Sequence, residues 1–223
     1  MNPLSSAKNK TIPHVLRSSF VDIEQNSDEW LEKRAGKLTG SVAGKIMANY
    51  GKAFGNPAHD LAAQIALEQI TGKPILSNYT NSHMDRGHEQ EPMARAEYES
   101  QYFCEVLNGG FFDNGSTGAS VDGIVLPYGI IEIKSHIPSV HFANVKRGGI
   151  NPTYKWQYYF NLKETGAEWI DTISFCADFP EGKKLYVHRI WAKDSDKEFT
   201  QIDIRSGEFF ELMEEKKRFI NGA

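Results

Sequence analysis

Two short stretches in the middle of the chain decide its fold, Gly118-Ala119-Ser120-Val121-Asp122-Gly123-Ile124 and Ile130-Ile131-Glu132-Ile133-Lys134-Ser135. Both are typical of β-strands, and Leu126-Pro127-Tyr128-Gly129 between them has the composition of a turn. Successive side chains alternate between the two faces of a strand, so Glu132 and Lys134 project together and Ile131 and Ile133 point the other way. We therefore predict a β-hairpin with one apolar and one charged face.

The charged face of this hairpin has the composition of a hydrolytic site. The hairpin places Asp122 roughly opposite Glu132, with Lys134 beside them. Paired carboxylates repel unless a positive charge lies between them, and their oxygens suit Mg²⁺ or Mn²⁺. A lysine nearby can orient, or help deprotonate, a water that attacks a phosphodiester. The pattern indicates metal-assisted phosphodiester hydrolysis; the alternative is an exposed polar strand face on which Glu132 pairs with Lys134.

Helical and strand patterns on both sides of the hairpin define the fold class. Helices are predicted over residues 28–35, 40–48, 58–71, 89–102, 153–165 and 206–220, and strands over 118–125, 130–135, 168–177 and 184–191. Because helices come before, between and after the strands, the class is α/β or mixed α+β, with a central mixed sheet flanked by helices. A single domain over residues 1–223 is expected, with residues 1–20 as a flexible or loosely packed N-terminal tail.

Composition excludes several classes of protein. The 223 residues are 40% hydrophobic, which supports a substantial core, and 25 basic against 29 acidic residues give a net charge of −4. That balance argues against a general basic coat for nucleic acid but leaves room for a local basic groove. No run of apolar residues is long enough to span a membrane and no secretion signal is recognised, so a cytoplasmic protein is expected.

Cysteine and histidine usage also excludes some metal sites. Cys104 and Cys176 are too few for a disulfide framework or an iron-sulfur cluster, and both are expected to pack as small buried apolar residues. The histidine pairs lack a supporting third ligand, so a zinc site is not expected; they are His83 with His88 and His136 with His141.

An ordered set of motifs extends the hairpin pattern across most of the chain. The motifs are Trp30-x3-Arg34-x4-Thr39-Gly40-Ser41, Gly87-x3-Glu91, Ser120-x-Asp122-Gly123, Glu132-x-Lys134 and Tyr154-x2-Gln157. Together they resemble the lambda-type alkaline exonucleases, the YqaJ-like viral recombinase family of the PD-(D/E)xK nuclease superfamily. The resemblance runs from about residue 26 to the end, with Val121 in place of the superfamily's usual proline. It implies a restriction-endonuclease-like core.

The resemblance also implies an activity and a catalytic set. Members of the family are Mg²⁺-dependent 5′-to-3′ exonucleases that degrade one strand of linear double-stranded DNA and leave a 3′ single-stranded tail. Two Mg²⁺ ions are implied, for which Mn²⁺ can substitute. The implied metal ligands are Asp122, Glu132, Glu91 and the backbone carbonyl of Ile133. Lys134 would position the attacking water, and Gln157 would hold that lysine or the DNA backbone.

A second set of residues is implied to bind DNA. Arg34, Ser41 and Ser120 would grip the 5′-phosphate, with Thr39 at the cap of the helix that carries Ser41. Three further positions are weaker. Tyr154 lies three residues from Gln157, Lys146 lies in a compact basic loop with Arg147, Gly148 and Gly149, and Met84 is a candidate for separating the strands. The alternatives are ordinary packing for Tyr154 and Met84 and a solvated turn for Lys146, whereas Trp30 is expected to be a core anchor.

The implied partners are duplex DNA ends, a single-strand annealing protein and further copies of the chain in a ring-shaped homotrimer. Two other functions stay open at this point. The chain is alternatively another PD-(D/E)xK DNA endonuclease, of the restriction or repair type, or a non-catalytic module that binds DNA ends. Digestion of a covalently closed circle would favour the endonuclease, and tight binding without Mg²⁺-dependent release of nucleotides would favour the binding module.

Overall fold

The structure, a computed structural model, describes Leu16 and residues 19–75 and 82–222, except for the side chains at positions 82–85 and 88. The predicted N-terminal tail therefore lies mostly outside the described residues. Leu16 is buried, and Phe20 belongs to the first strand. No helix in the described part of the chain is both long and apolar enough to cross a membrane.

Helices and strands are interspersed along the described chain, with short 3₁₀ turns at Pro152–Tyr154 and Ala192–Asp194. In order they are β1 (Phe20–Val21), α1 (Asp28–Arg34), β2 (Leu38–Thr39), α2 (Gly40–Met47), α3 (Asn56–Thr71), α4 (Ser82–Tyr102), β3 (Val106–Leu107), β4 (Phe111–Asn114), β5 (Thr117–Ala119), β6 (Gly123–Val125), β7 (Gly129–Ser135), α5 (Pro138–Arg147), α6 (Lys155–Thr165), β8 (Trp169–Phe175), β9 (Leu185–Trp191) and α7 (Asp196–Ile220).

The larger sheet contains the predicted hairpin. Its strand order is β3-β6-β7-β8-β9, and only the β7–β8 pair in it is parallel. β6 and β7 pair antiparallel with Gly123 opposite Ile131. Ile131 and Ile133 pack into a cluster with Ala94 and Tyr98 of α4. Ile130 points the other way, toward residues of α6. The sheet is thus covered by α4 on one face and α6 on the other, and the predicted mixed α/β class is confirmed.

The predicted strand over residues 118–125 is wrong as one element. The chain forms β5 in the smaller sheet, of order β1-β4-β5-β2, then leaves it and enters the larger sheet as β6. The three residues between the two strands have their backbone carbonyls occupied by side chains. Asn161 donates to the carbonyl of Ser120 at 3.2 Å, Gln25 donates to that of Val121 at 2.7 Å, and Arg95 donates to that of Asp122. Because these acceptors are satisfied by side chains, the chain can cross between sheets without ladder bonds.

Three helices differ from expectation. α4 begins at Ser82, seven residues before the predicted start at Glu89. The basic loop predicted at Lys146–Gly149 is wrong, because Lys146 and Arg147 form the last turn of α5, a helix that the sequence pattern did not reveal. Gly148 ends this helix in the left-handed conformation, at φ 70°. α7 begins at Asp196, ten residues before the predicted start at Ser206. Cys104 is only partly buried, whereas Cys176 is buried as expected.

A separate helical cluster supports the smaller sheet and the start of α2. Ile46 of α2, Leu61 and Ile65 of α3, and Phe209 of α7 are buried together. Burial of such side chains contributes about 1.5 to 3 kcal/mol each. α2 also packs closely on α6, because the Cβ of any residue other than glycine at position 40 would lie 2.0 Å from Oδ1 of Asn161. The N-terminal turn of α2 is thereby fixed beside the larger sheet.

Candidate active site

A cavity of about 550 Å³ lies at the junction of α1, α2, α4, β7 and α6. Ten of the predicted site residues line it: Arg34, Ser41, Glu91, Ser120, Asp122, Glu132, Ile133, Lys134, Tyr154 and Gln157. Thr39 is buried next to it, with its hydroxyl 3.4 Å from that of Ser41. Lys146 lies on α5, away from the lining, and the side chain of Met84 is outside the described residues. The sequence-predicted residues are therefore gathered from elements that are far apart in the chain.

Glu132 is the most deeply held carboxylate in the cavity, at 1% exposure. Its Oε1 accepts hydrogen bonds from Nζ of Lys134 at 2.8 Å and from the side-chain amide of Gln157. Its Oε2 accepts from Nδ2 of Asn161 at 2.9 Å. Burial, and then the nearby charge of Asp122, raises the pKa of Glu132 to about 7. The carboxylate is fixed in position, and the negative charge of a second acid disfavours its charged form.

Asp122 and Glu91 complete the acidic wall. Oδ2 of Asp122 accepts a hydrogen bond from the backbone N–H of Ile133 at 2.6 Å, and its own N–H donates to Ile131 at 3.1 Å. Asp122 is thereby locked across the hairpin from Glu132, as the sequence predicts. Burial, and then the charge of Asp122, raises the pKa of Glu91 to about 7. Glu91, on α4, therefore lies close enough to Asp122 for the two charges to repel each other.

Lys134 is a cation held between acids and an aromatic ring. Burial alone would lower the pKa of Lys134, but the charges of Glu132 and Asp122 raise it above its ordinary value. Its ammonium lies 5.3 Å from the ring centroid of Tyr154, which favours the charged form further. A lysine held in its charged form can orient a water or stabilise negative charge.

The donor set of this wall fits a hard divalent cation. In the described part of the chain, no three His, Cys, Asp or Glu side chains form a ready-made metal cluster. Mg²⁺ does not need one, since it keeps several waters and takes one or two carboxylates. Burial, and after it the charge of Asp122, raises the pKa of both Glu91 and Glu132, so a cation bound beside them would stabilise their charged forms. Asp122, Glu132, Glu91 and the carbonyl of Ile133 are the oxygen donors available to a cation here.

A second part of the cavity wall, the basic end, carries Arg34 and several hydroxyls. Arg34 of α1 donates to the hydroxyl of Ser41, and its guanidinium lies 4.8 Å from the ring centroid of Trp30. Nε1 of Trp30 donates to the hydroxyl of Ser120 at 2.8 Å. Burial lowers the pKa of Arg34 to about 10, so it is still a cation at neutral pH. Trp30 is buried, as expected for a core anchor, and it also holds one of the predicted phosphate-binding residues in place.

Three residues that shape the site escaped the sequence analysis: Asn161, Gln25 and Arg95. Asn161 is 1% exposed and joins the carboxylate of Glu132 to the carbonyl of Ser120. It lies one helical turn after Gln157, a spacing from which it could have been found. No sequence pattern identifies Gln25 or Arg95, because each donates a hydrogen bond to a backbone carbonyl far away in sequence.

Comparison with known proteins gives one family and several structures. The family model of the YqaJ-like viral recombinase domain matches residues 29–168. The alkaline exonuclease LHK-Exo from Laribacter hongkongensis is 27% identical with a TM-score of 0.76, and the match covers 87% of this chain and 96% of that one. The complex of LHK-Exo with dAMP is 28% identical with a TM-score of 0.73 and coverages of 88% and 99%.

A phage related exonuclease from Haemophilus somnus 129PT shares the fold alone, at 13% identity, a TM-score of 0.62 and coverages of 83% and 96%. No curated protein matches the chain at a significant level. The restriction-endonuclease-like core and the nuclease class predicted from the motifs are confirmed. The family model matches more than half of this chain, so the chain belongs to the YqaJ-like viral recombinase family of alkaline exonucleases.

Proposed function

We propose that this nuclease is a Mg²⁺-dependent exonuclease that degrades one strand of linear double-stranded DNA from its 5′ end and leaves a 3′ single-stranded tail for strand annealing. One observation carries the proposal. A carboxylate and lysine cluster and an arginine and hydroxyl cluster share one cavity of about 550 Å³. The first set suits phosphodiester hydrolysis and the second suits a terminal phosphate.

The acidic wall is assigned to metal binding. We propose that Asp122, Glu132, Glu91 and the carbonyl of Ile133 hold two Mg²⁺ ions, which Mn²⁺ can replace. Bound cations there would offset the repulsion among the carboxylates and polarise the phosphate. Gln157 and Asn161 keep Glu132 in one orientation through their hydrogen bonds to its two oxygens. Lys134 orients the attacking water and stabilises negative charge on the phosphate.

The basic end is assigned to the 5′ terminus. We propose that Arg34, Ser41 and Ser120 bind the terminal phosphate, at the end of the cavity where α2 begins. A guanidinium forms paired hydrogen bonds with phosphate oxygens, and a helix N-terminus adds a favourable dipole. A terminal phosphate fixed beside Ser41 would place a neighbouring phosphodiester toward the carboxylates, which supports digestion from the 5′ end. Tyr154, whose ring lies over Lys134, would contact the strand between them.

The proposed assembly rests on the family resemblance. We propose that the chain forms a ring-shaped homotrimer around DNA and passes its product to a single-strand annealing protein. Sedimentation under assay conditions tests the ring, and a monomer would contradict it. Cosedimentation with a single-strand annealing protein tests the partner.

The activity is tested with linear duplexes labelled separately at the 5′ and 3′ ends, each with and without a 5′-phosphate. A covalently closed circle serves as the substrate without ends, and EDTA serves as the metal-free control. We expect Mg²⁺-dependent release of the 5′ label as nucleotides, preferentially from phosphorylated ends, with the circle intact. Early release of the 3′ label would overturn the direction, and cutting of the circle would indicate an endonuclease. Binding of ends without release of nucleotides would indicate a non-catalytic module.

A further inference from the structure

Arg34, the last residue of α1, borders two cavities. One is the active-site cavity, where its guanidinium donates to the hydroxyl of Ser41. The other is a smaller cavity of about 130 Å³ beside α3, lined by both Arg34 and Glu68. The contacts that α3 makes near Arg34 therefore bear on where the guanidinium points.

Glu68 of α3 is a buried carboxylate, at 7% exposure. Its Oε2 accepts a hydrogen bond from the backbone N–H of Gly36 at 2.8 Å. Its Oε1 accepts from the side-chain amide of Gln64 and from the backbone N–H of Ile75, each at 3.0 Å. All three partners are donors, which suits a carboxylate because it can only accept. Glu68 therefore ties α3 to the turn that follows α1.

Gly36 is held by α3 on both sides of its backbone. It lies just past the end of α1, in the left-handed conformation at φ 73°. At such a position the N–H commonly bonds to a carbonyl of the helix's last turn, whereas here it donates to Glu68. The carbonyl of Gly36 accepts from Nε2 of Gln69 at 2.6 Å. Glu68 and Gln69, two consecutive residues, thus form a turn clamp on the residue two positions after Arg34.

Glu68 also acts on the charge of Arg34. Burial lowers the pKa of Arg34 to about 10, and the charges of Glu68 and then Glu132 oppose this lowering. The oxygens of Glu68 are occupied by the three donors named above, whereas the guanidinium donates to Ser41. The acid therefore supports the cation through its charge and leaves the guanidinium available to a phosphate.

We propose that Glu68 and Gln69 are positioning residues for Arg34, which fix the turn after α1 so that the guanidinium points at the terminal phosphate. The inference rests on the proposed function, because that function assigns Arg34 to the 5′-phosphate. Paired hydrogen bonds from a guanidinium to phosphate oxygens require the correct distance and angle. A loosened turn would keep the charge of Arg34 in the cavity and lose part of this pairing.

Binding of blunt duplexes with and without a 5′-phosphate tests the turn clamp in the whole chain. Anisotropy in EDTA measures the affinity for each end without hydrolysis, and the ratio of the two affinities is the preference for phosphate. Glu68→Ala should reduce this preference about fivefold, less than the roughly tenfold expected for Arg34→Ala. Gln69→Ala should reduce it about threefold, because one of the two contacts with Gly36 is lost. Glu68→Gln keeps one acceptor oxygen and should lie between Glu68→Ala and wild type.

A double-mutant cycle separates positioning from a purely structural role. If Glu68 acts through Arg34, Glu68→Ala should cause no further loss of preference in Arg34→Ala protein. Glu99→Ala is the matched control. Glu99 also accepts a backbone N–H from seven residues along the chain, that of Val106 at 2.7 Å, but it lies near the C-terminal end of α4. Its preference should equal that of wild type, because a general loss of folded protein affects both ends alike.

Two results would overturn the turn clamp alone. The first is a wild-type preference in both Glu68→Ala and Gln69→Ala protein when Arg34→Ala protein has lost it. The second is a further loss in the double variant that is as large as the loss caused by Glu68→Ala alone. Wild-type protein that binds both ends equally would instead reject the phosphate pocket of the proposed function, and the turn clamp with it.

Discussion

Two buried carboxylates lie on neighbouring strands of the larger sheet and differ in every relevant contact. Glu132 on β7 is opposite Thr172 on β8, and Asp171 is opposite Ile131, so the two acids point to opposite faces. Each is 1% exposed and each has a cationic partner. Asp171 lies on the α4 face, where Tyr98 packs, whereas Glu132 lines the cavity under α6.

The difference lies in how completely the charge of each acid is matched. Asp171 accepts two hydrogen bonds from Arg189, at 2.7 and 2.8 Å, and a third from the hydroxyl of Tyr98 at 2.6 Å. The hydrogen bond and charge of Asp171 raise the pKa of Arg189 above its ordinary value, which marks a stable ion pair. Glu132 instead has a second acid, Asp122, close by, and burial and then the charge of Asp122 raise its pKa to about 7. A carboxylate whose oxygens are all bonded supports the fold, whereas neighbouring carboxylates in a cavity are suited to bind a cation.

Glu132→Gln is expected to have the largest effect on activity. Loss of one anionic oxygen donor should reduce nuclease activity by about a thousandfold, comparable to the loss of a key electrostatic group in other enzymes. Stability to urea should stay within about 1 kcal/mol, because removal of one of several repelling acids offsets the lost pairing with Lys134. Asp171→Asn on the adjacent strand is the matched control, and it should keep its activity per folded molecule. Similar activity losses in both variants would erase the distinction.

The reverse effect is expected for Arg189→Ala. Asp171 would be left buried and unpaired, so the free energy of unfolding should fall by about 3 kcal/mol. This is near the lower end of the usual range, because the Arg189 side chain is 34% exposed and water can replace part of its contact. Urea denaturation measures the loss, and Arg189→Lys should lose less since it keeps the charge. Unchanged stability would mean that the ion pair of Asp171 contributes nothing to the fold.

The sequence patterns predicted the placement of Glu132, because it depends on residues close to it in the chain. Alternation along β7 placed Glu132 and Lys134 on one face, and the turn after Val125 placed Asp122 across from them. The break between β5 and β6 was not predictable, because it depends on donors that lie 27 to 96 residues from their acceptors. The pair of Asp171 and Arg189 forms across two strands, and nothing in either segment alone distinguishes it from an exposed charge.

Helix α5 shows the same limit for secondary structure. Its apolar residues follow no clear helical stripe, and the helix is fixed instead by polar contacts. His141 and Asn144 lie within hydrogen-bond distance of the hydroxyl of Ser174 on β8, at 2.9 and 3.1 Å. These contacts join residues about 30 positions apart, so local propensity did not contain them.

Asn161→Ala tests whether an uncharged hydrogen-bond partner of Glu132 also matters for activity. The variant frees Oε2 of Glu132 and the carbonyl of Ser120 together, so the carboxylate should lose its fixed orientation. Loss of such an orienting contact typically costs about 10- to 100-fold in metal affinity or activity. Mn²⁺ affinity by calorimetry and kcat/KM should both fall. Asn144→Ala is the control, since Asn144 is equally buried and hydrogen-bonded but bonds to Ser174; equal losses in both variants would indicate a structural role alone.

The smallest expected effect is that of Arg34→Ala, and Arg189 is the arginine with which Arg34 is compared. Arg189 is committed to Asp171 and lies 3.6 Å from the ring centroid of Trp169, whereas Arg34 donates to a hydroxyl and is free to exchange it for a phosphate oxygen. Arg34→Ala should reduce the preference for 5′-phosphorylated over 5′-hydroxyl ends about tenfold, because one charge-assisted contact is lost while Ser41 and Ser120 stay in place. Digestion rates on the two ends measure the ratio.

Lys37→Ala is the control for a lost cation, since Lys37 pairs with Asp113 at 2.8 Å outside the cavity. Its ratio should equal that of wild type. Arg34→Lys should give an intermediate ratio, because it keeps a positive charge and loses the forked geometry. If Arg34→Ala cuts both ends in the wild-type ratio, Arg34 does not read the phosphate. Arg34 and Arg189 would then differ in their contacts within the protein but not in their contacts with DNA.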